Sequence, residues 1–555
     1  MQARRITGFA TAAGLALACG GCGPARGRTP AAASASPASA SHAAPAALAA
    51  PAHAASAGPR LPARVRRLTN AEYERTVSEL VGADEAVAER LPPDVRQDGY
   101  TPNDAQVAPS AWVAAVDVVA RDVAHRVVRG AADRPPRLER LAPCARLKAA
   151  GCGDELVDRL GARAWRRPLE DRERAALRTL FEAASREGGF DAGAEALLTA
   201  LLESPGLAYL TELGPGGPPG AIVTLTPYEI ASLLSYTLRG APPDDALLGA
   251  AADGSLRSPP ARVRHALRLL AMPDTRLQFR RFVLEWLEVD GLARTTKSAE
   301  LFPRYESLKE RMIAETSAFT DEVMVFAGGS VGALLGARFA SVDPEMARFY
   351  GLRTWGARAS LAGTRRAGVL QQASFLAAHA HEDGTSPVKR GDFVLRRLLC
   401  VRVPRPAEVG IETVFPAPSR DETNRQRFSI HAADPACRGC HRNLDGIGFA
   451  FEGFDAAGAD QSRDNGKPVD TAGRLTFGGE SMAFGDSLQL SDWLAQSPAV
   501  AECYLRQAFR YFTAQSDPRV EDALVALARK GDGNLFDALM AYVGSDLFVE
   551  REVRP

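Results

Sequence analysis

Past its first twenty residues the chain has no apolar run long enough to cross a membrane as a helix. It also lacks a charge surplus, since Lys+Arg and Asp+Glu both number 67. A nucleic-acid-binding surface normally carries a basic excess or stripe, so no nucleic-acid partner is expected. There is no glycine-rich phosphate loop, no Gly-x-Ser-x-Gly elbow and no His-Glu-x-x-His pair, so the signatures of nucleotide, serine and zinc hydrolases are missing. Strand-like alternation is scarce, and only 8 of the 555 residues are histidine. What is present is ordinary for a soluble globular protein, with 46% hydrophobic and 24% charged residues. The length predicts several domains.

The first 22 residues read as an address. Arg4 and Arg5 precede an apolar stretch from Ile6 to Ala18, too short to span a membrane. Leu15-Ala16-Leu17-Ala18-Cys19 resembles a bacterial lipoprotein signal, with Cys19 as the lipidated residue. Ala16 stands where that signal usually has leucine, and plain secretion with cleavage nearby is the alternative. Either way the chain is expected to be exported, to the periplasm or outer membrane, and on the lipoprotein reading it is held there by a lipid anchor. Residues 23–60 are nearly all Ala, Ser, Pro and Gly, with too few large apolar side chains to offset ordering entropy, and read as a disordered tether. His42 and His53 within it read as solvated.

The body from residue 61 onward is predicted mainly α: a multi-domain helical body with an irregular c-type haem-binding segment. Thr69 with Glu72 forms a capping box, and Tyr73, Val77 and Leu80 follow at helical spacing. Thr226 and Glu229 repeat the device, with Pro227 at the first helical position. Further helical periods run through Arg172–Ala184, Pro260–Leu270, Leu277–Leu287 and Ser307–Phe326. Gly and Pro clusters divide the body into helical segments 61–135, 136–215 and 221–363, a haem-motif segment 364–478 and a C-terminal helical segment 479–555. The pair Asp244-Asp245 reads as a turn and helix cap.

Chemistry concentrates in Cys437-Arg438-Gly439-Cys440-His441. In an exported chain, Cys-x-x-Cys-His is the spacing for covalent attachment of haem c: both thiols bond to the haem, and the adjacent imidazole binds iron as proximal ligand. Zinc is an alternative, with His431 or Cys400 completing the ligand set. A redox-active disulfide is the third reading, although the thioredoxin-type βαβ setting is missing.

Several ordered stretches carry a resemblance: "RRLTNAEYERTVSELVG" at 66–82, "AWRRPLEDRERAAL" at 164–177, "LLSYTLRGAPPDDALL" at 233–248 and "FVLEWLEVDGL" at 282–292. It continues in "GVLQQASFLAAHAHEDGTSPVKRGDFVLRRLLCVRVPRP" at 368–406, in "CRGCHRNLDGIGFAFEGFDAAG" from Cys437, and in "CYLRQAFRYFTAQ" at 503–515. The chain resembles the planctomycete-type cytochrome-like proteins, exported bacterial proteins built of consecutive domains of unknown function. The resemblance implies a haem-binding segment in a helix-rich body and no particular substrate. It also marks departures. The family pattern after the haem histidine reads Asp-Pro-Ile-Gly-Phe, where this chain has Asp445-Gly446-Ile447-Gly448-Phe449. An aromatic-Arg pair usual after "FDAAG" is replaced by Asp460-Gln461.

Other residues are weaker candidates. His379 falls where many family members have histidine, and it is a candidate sixth iron ligand; an ordinary loop histidine is the plainer reading. Met482, about forty residues past the motif, is the alternative sixth ligand, against a role as core filler. Lys389-Arg390 could meet haem propionates, or stand solvated. Phe449, Phe451 and Phe454 suit either a cofactor edge or a core. Of the other cysteines, Cys144 and Cys152 flank a short loop and are expected to bridge, leaving Cys400 to pair with Cys503; two buried free cysteines are the alternative. Two functions follow: a haem protein in electron transfer or haem-based oxidation, with an unidentified redox partner, or a non-catalytic surface lipoprotein binding a glycan or protein.

Overall fold

Thr69 and Thr226 start helices as their spacing predicts: each side chain and the Glu three residues on satisfy one another's backbone donors, opening the helices Asn70–Val81 and Pro227–Arg239. Both end on glycines in the left-handed region, Gly82 at φ 66° and Gly240 at φ 59°, where a side chain would be strained. Asp244 caps the helix Asp245–Ala252, accepting from Leu247 N. The molecule is described here by a computed structural model, covering residues 58–554 apart from 133, 150, 411–418, 420 and 530–533. The predicted signal segment with Cys19, and the 23–60 tether up to residue 57 with His42 and His53, lie outside the described residues.

Helices dominate, as predicted, and the other predicted periods are helical too: Asp171–Glu203, bent at Gly189, then Pro259–Leu270, Thr275–Trp286 and Tyr305–Ala327. Strands are short. Leu61–Pro62 pairs in parallel with Glu550–Glu552, which pairs antiparallel with Ile222–Thr224. Arg64–Arg67 pairs with Tyr209–Glu212. Beneath this junction Glu212 is buried between Arg64 (2.9 Å) and Arg551 (2.5 Å). Burial alone would raise its carboxyl, but the two guanidinium groups outweigh that and hold it down at about 2.

The principal core takes Leu61, Tyr100 and side chains from Leu225 to Val549, with Phe282, Trp286, Tyr504, Tyr511 and Phe512 in aromatic contact within it. A second core gathers around Tyr73 and Trp112, and a third around Tyr305 and Tyr350. Cys144–Cys152 and Cys400–Cys503 are disulfides. The second ties the turn after the helical run 387–398 to the Pro498–Thr513 helix, so Cys400 and Cys503 bracket the Cys-x-x-Cys-His motif in sequence.

One local expectation is corrected. The Cys-x-x-Cys-His motif, expected in irregular loops, lies on the helix Pro435–Gly448. Asp434 caps it by accepting from Ala436 N, Pro435 opens it, and Leu444 and Ile447 form a buried face. A capped start and a 3-residue apolar period outweigh the three glycines within it. The irregular part follows, as the short hairpins 463–468 and 473–484.

Candidate functional site

The motif helix packs where its glycines allow. A Cβ on Gly448 would stand 1.9 Å from the Pro387 carbonyl oxygen, and one on Gly446 would stand 2.4 Å from that of Arg474. Gly446 thus lets the Gly473–Phe477 strand close over the helix, which accounts for glycine at this position in this chain. Those two contacts fix the helix between the Pro387–Phe393 helix and the hairpin.

On that helix Cys437 and Cys440 are three residues apart and so share a face. Both are free thiols, Cys437 half-buried and Cys440 exposed. His441 follows, half-buried, with its Nδ1 3.0 Å from Oδ1 of the buried Asp445 one turn on. A carboxylate at Nδ1 accepts its N–H, holding the proton there, and leaves Nε2 as the atom able to bind a metal. The preceding helix, Asn424–Ala433, brings His431 against it, ring centroids 4.2 Å apart. The ligand atoms of His431, His441 and Asp445 all lie within 4.8 Å of one another.

His441 and Asp445 open into a cavity of about 850 Å³. Its walls combine the rings of Phe449 and Phe484 with Arg425, Arg438, Arg442 and Arg474. Arg425 is occupied: its guanidinium lies 4.5 Å from the Phe449 centroid and bonds the Ala472 carbonyl. Arg438 donates to the Ala432 and Ala433 carbonyls. Arg442 is exposed and unbonded among the described residues, and Arg474 donates only to Ser481 Oγ. An apolar floor with spare guanidinium groups suits a flat, apolar dicarboxylate such as haem. His441 and the spare arginines suit the group the motif implies, while Cys437 and Cys440 lie on the same helix outside the cavity lining.

The other candidates are placed as follows. His379 is buried away from this cavity, its Nε2 2.9 Å from the Leu287 carbonyl oxygen and its ring against Phe375 and Phe393. Burial pushes its imidazole down to about 4. The structure does not bring it to His441. Met482 sits half-buried in the Glu480–Phe484 strand, opposite Leu475 and next to the cavity-lining Ala483, without lining the cavity itself. Arg390, weighed for propionates, is spent inside: fully buried, it donates to the carbonyls of Leu376, Phe451, Phe454 and Asp455. Lys389 bonds the Ala380 carbonyl. Of the three phenylalanines, Phe449 faces the cavity while Phe451 and Phe454 are core. Asp460 and Gln461 are also engaged, with Arg366 and with the Glu452 carbonyl. Cys400, in its disulfide, is not available to zinc.

Sequence reasoning missed Asp445 as the partner of His441. The signal was there: an acid four residues after a histidine shares its helical face once the motif is read as helix.

Four family models match in succession. Residues 66–129 match PSD3, a protein of unknown function (DUF1587), and 152–212 match PSD5 (DUF1595). Residues 225–352 match PSD4 (DUF1592), and 366–464, containing the whole motif, match PSCyt3 (DUF1588). No curated protein and no solved structure matches.

Proposed function

We propose that this chain, which belongs to the planctomycete-type cytochrome-like proteins built of consecutive domains of unknown function, is an exported, lipid-anchored c-type haem protein. Its work is electron transfer or haem-based oxidation at the periplasm or outer membrane, with an unidentified redox protein as partner. One observation carries the reading: two free thiols share a helical face immediately before a histidine whose Nδ1 is held by a buried carboxylate. Bound haem would supply one-electron chemistry. Cys437 and Cys440 would anchor it covalently, and Asp445 keeps the His441 proton on Nδ1 so that Nε2 is the coordinating atom. Arg442 and Arg474 have donors to spare for carboxylates, while Phe449 and Phe484 keep water from one side. The two disulfides support export, because such bridges persist in oxidising compartments.

A second reading is favoured by the closeness of His431, His441 and Asp445: a divalent metal such as zinc held structurally by these side chains. In that case the protein would be the colourless, non-catalytic lipoprotein. Expression with a haem-maturation system decides between them. A haem-stained band after denaturation, with a Soret absorbance, is the expected result. A colourless band with both motif thiols free and stoichiometric metal overturns it. Labelled fatty acid entering the wild type but not Cys19→Ser tests the anchor separately.

A further inference from the structure

A second large cavity, of about 740 Å³, lies among segments far from the haem motif in sequence and takes no part in the reading above. Trp165, Tyr209 and Tyr228 line it, together with Arg166, Arg167 and Glu229. Its wall is built rigidly. Arg166 adopts a left-handed backbone at φ 57°, and its buried guanidinium donates to the carbonyls of Ala164, Gly206, Leu207 and Tyr209 at 2.6–3.3 Å. That lashes the 206–209 segment to the end of the Cys152–Trp165 helix. Trp165 Nε1 donates to Ser204 Oγ at 2.7 Å, and a Cβ on Gly206 would stand 2.5 Å from the indole. The ring therefore lies directly against this backbone and needs no ordering when a ligand arrives.

The charges around the cavity are already spent. Arg166 serves backbone carbonyls, and Arg167 makes a two-bond pair with Glu173 at 2.8 and 2.9 Å. Glu229 accepts from the backbone N–H groups of Leu213, Gly214 and Thr226. The exposed Glu170 is ion-paired with Arg172. What remains is aromatic surface, with the Arg167 guanidinium over the Trp165 ring at 5.9 Å from its centroid, and the hydroxyls of Tyr209 and Tyr228, both half-buried and unbonded among the described residues. A complementary ligand has apolar C–H faces and hydroxyl groups but no charge. An anion such as a nucleotide would find no free cation here, and an alkyl chain would leave the hydroxyls unpaired.

We propose that this cavity is a binding site for a neutral oligosaccharide, one sugar face against Trp165 and its hydroxyls bonded by Tyr209 and Tyr228. The test is calorimetry and tryptophan fluorescence on the full chain, with cellohexaose, chitohexaose and mannohexaose as probes and heparin hexasaccharide as the anionic comparator. At least one neutral hexaose is expected to bind. Trp165→Ala should weaken it about tenfold, the loss of one aromatic contact and its buried area. Tyr228→Phe, which removes a single oxygen and keeps the fold, should weaken it about threefold. Trp355→Ala, at an exposed ring elsewhere, should leave affinity unchanged. Binding of heparin alone, no binding of any neutral hexaose, or wild-type affinity in the Tyr228→Phe protein would overturn the assignment.

Discussion

Two clusters of ionisable groups in this molecule are built to opposite plans. Around Glu212, both carboxylate oxygens meet guanidinium groups from strands far apart in sequence, and water is excluded. Around His441, a carboxylate holds one ring nitrogen, the histidine and an unbonded arginine stand at a cavity of about 850 Å³, and two free thiols lie on the same helix outside the cavity lining. Buried charge paired on both sides holds parts of a chain together, and replacing one member leaves the others stranded. Charge and thiol left unspent beside a cavity cost little to remove from the fold and are where chemistry is available. Satisfaction of bonding capacity thus separates the scaffold from the site.

The largest effect should come from the open cluster. Replacing Cys437 and Cys440 together with serine is expected to abolish covalent haem on a stained gel completely. The unloaded chain should melt within about 0.5 kcal/mol of wild type, because neither thiol is fully buried. Glu212→Gln should do the reverse. Leaving Arg64 and Arg551 without their anion is expected to cost about 3–5 kcal/mol in denaturant unfolding, while the protein that does fold stains for haem as before.

Acidity sharpens the contrast further. The Glu212 carboxyl is held near 2, below its ordinary 4.5, so its contribution is fully present above pH 4.5 and is lost as pH falls from 4.5 towards 2. Over that window the wild type should lose about 3 kcal/mol that the Glu212→Gln protein does not lose. Parallel loss in both proteins would show that the triad does not work as drawn. Smallest of all is the expected effect of Asp445→Asn: about 1 kcal/mol on stability for one bond. Haem should stay attached, with a midpoint potential raised by about 60 mV, as a less basic imidazole favours ferric iron about tenfold less. An unchanged potential would remove Asp445 from its role.

The sequence announces features whose physics is local. The capping boxes at Thr69 and Thr226 need only residues three apart, and both form as read. The motif needs only five residues to be recognised. The disulfide pairing was reachable by elimination, since once Cys144 and Cys152 close their short loop Cys400 has Cys503 left to meet. The Arg64–Glu212–Arg551 cluster could not be read this way: its members are 148 and 339 residues apart, and nothing in their neighbourhoods marks them. His431 is suggested as a ligand by its residue type, but its contact with His441 depends on how tightly Asp434 and Pro435 turn one helix into the next. His379 shows the reverse failure, for a histidine in a suggestive stretch is turned by its helix end towards Leu287.

The pairing of Leu61–Pro62 with Glu550–Glu552, reinforced by the Arg60–Glu550 ion pair across 490 residues, sets the order in which the molecule can be made. A ribosome adds roughly 5–20 residues per second, so the first strand emerges about 25–100 s before its partner exists. During that interval its edge is open and its arginines have no counter-ion from the far end. The newborn chain must therefore be kept from pairing elsewhere until Glu550–Glu552 arrive. Deleting Glu550–Glu552 would leave the Pro435–Gly448 helix intact and remove the clasp that shuts the fold.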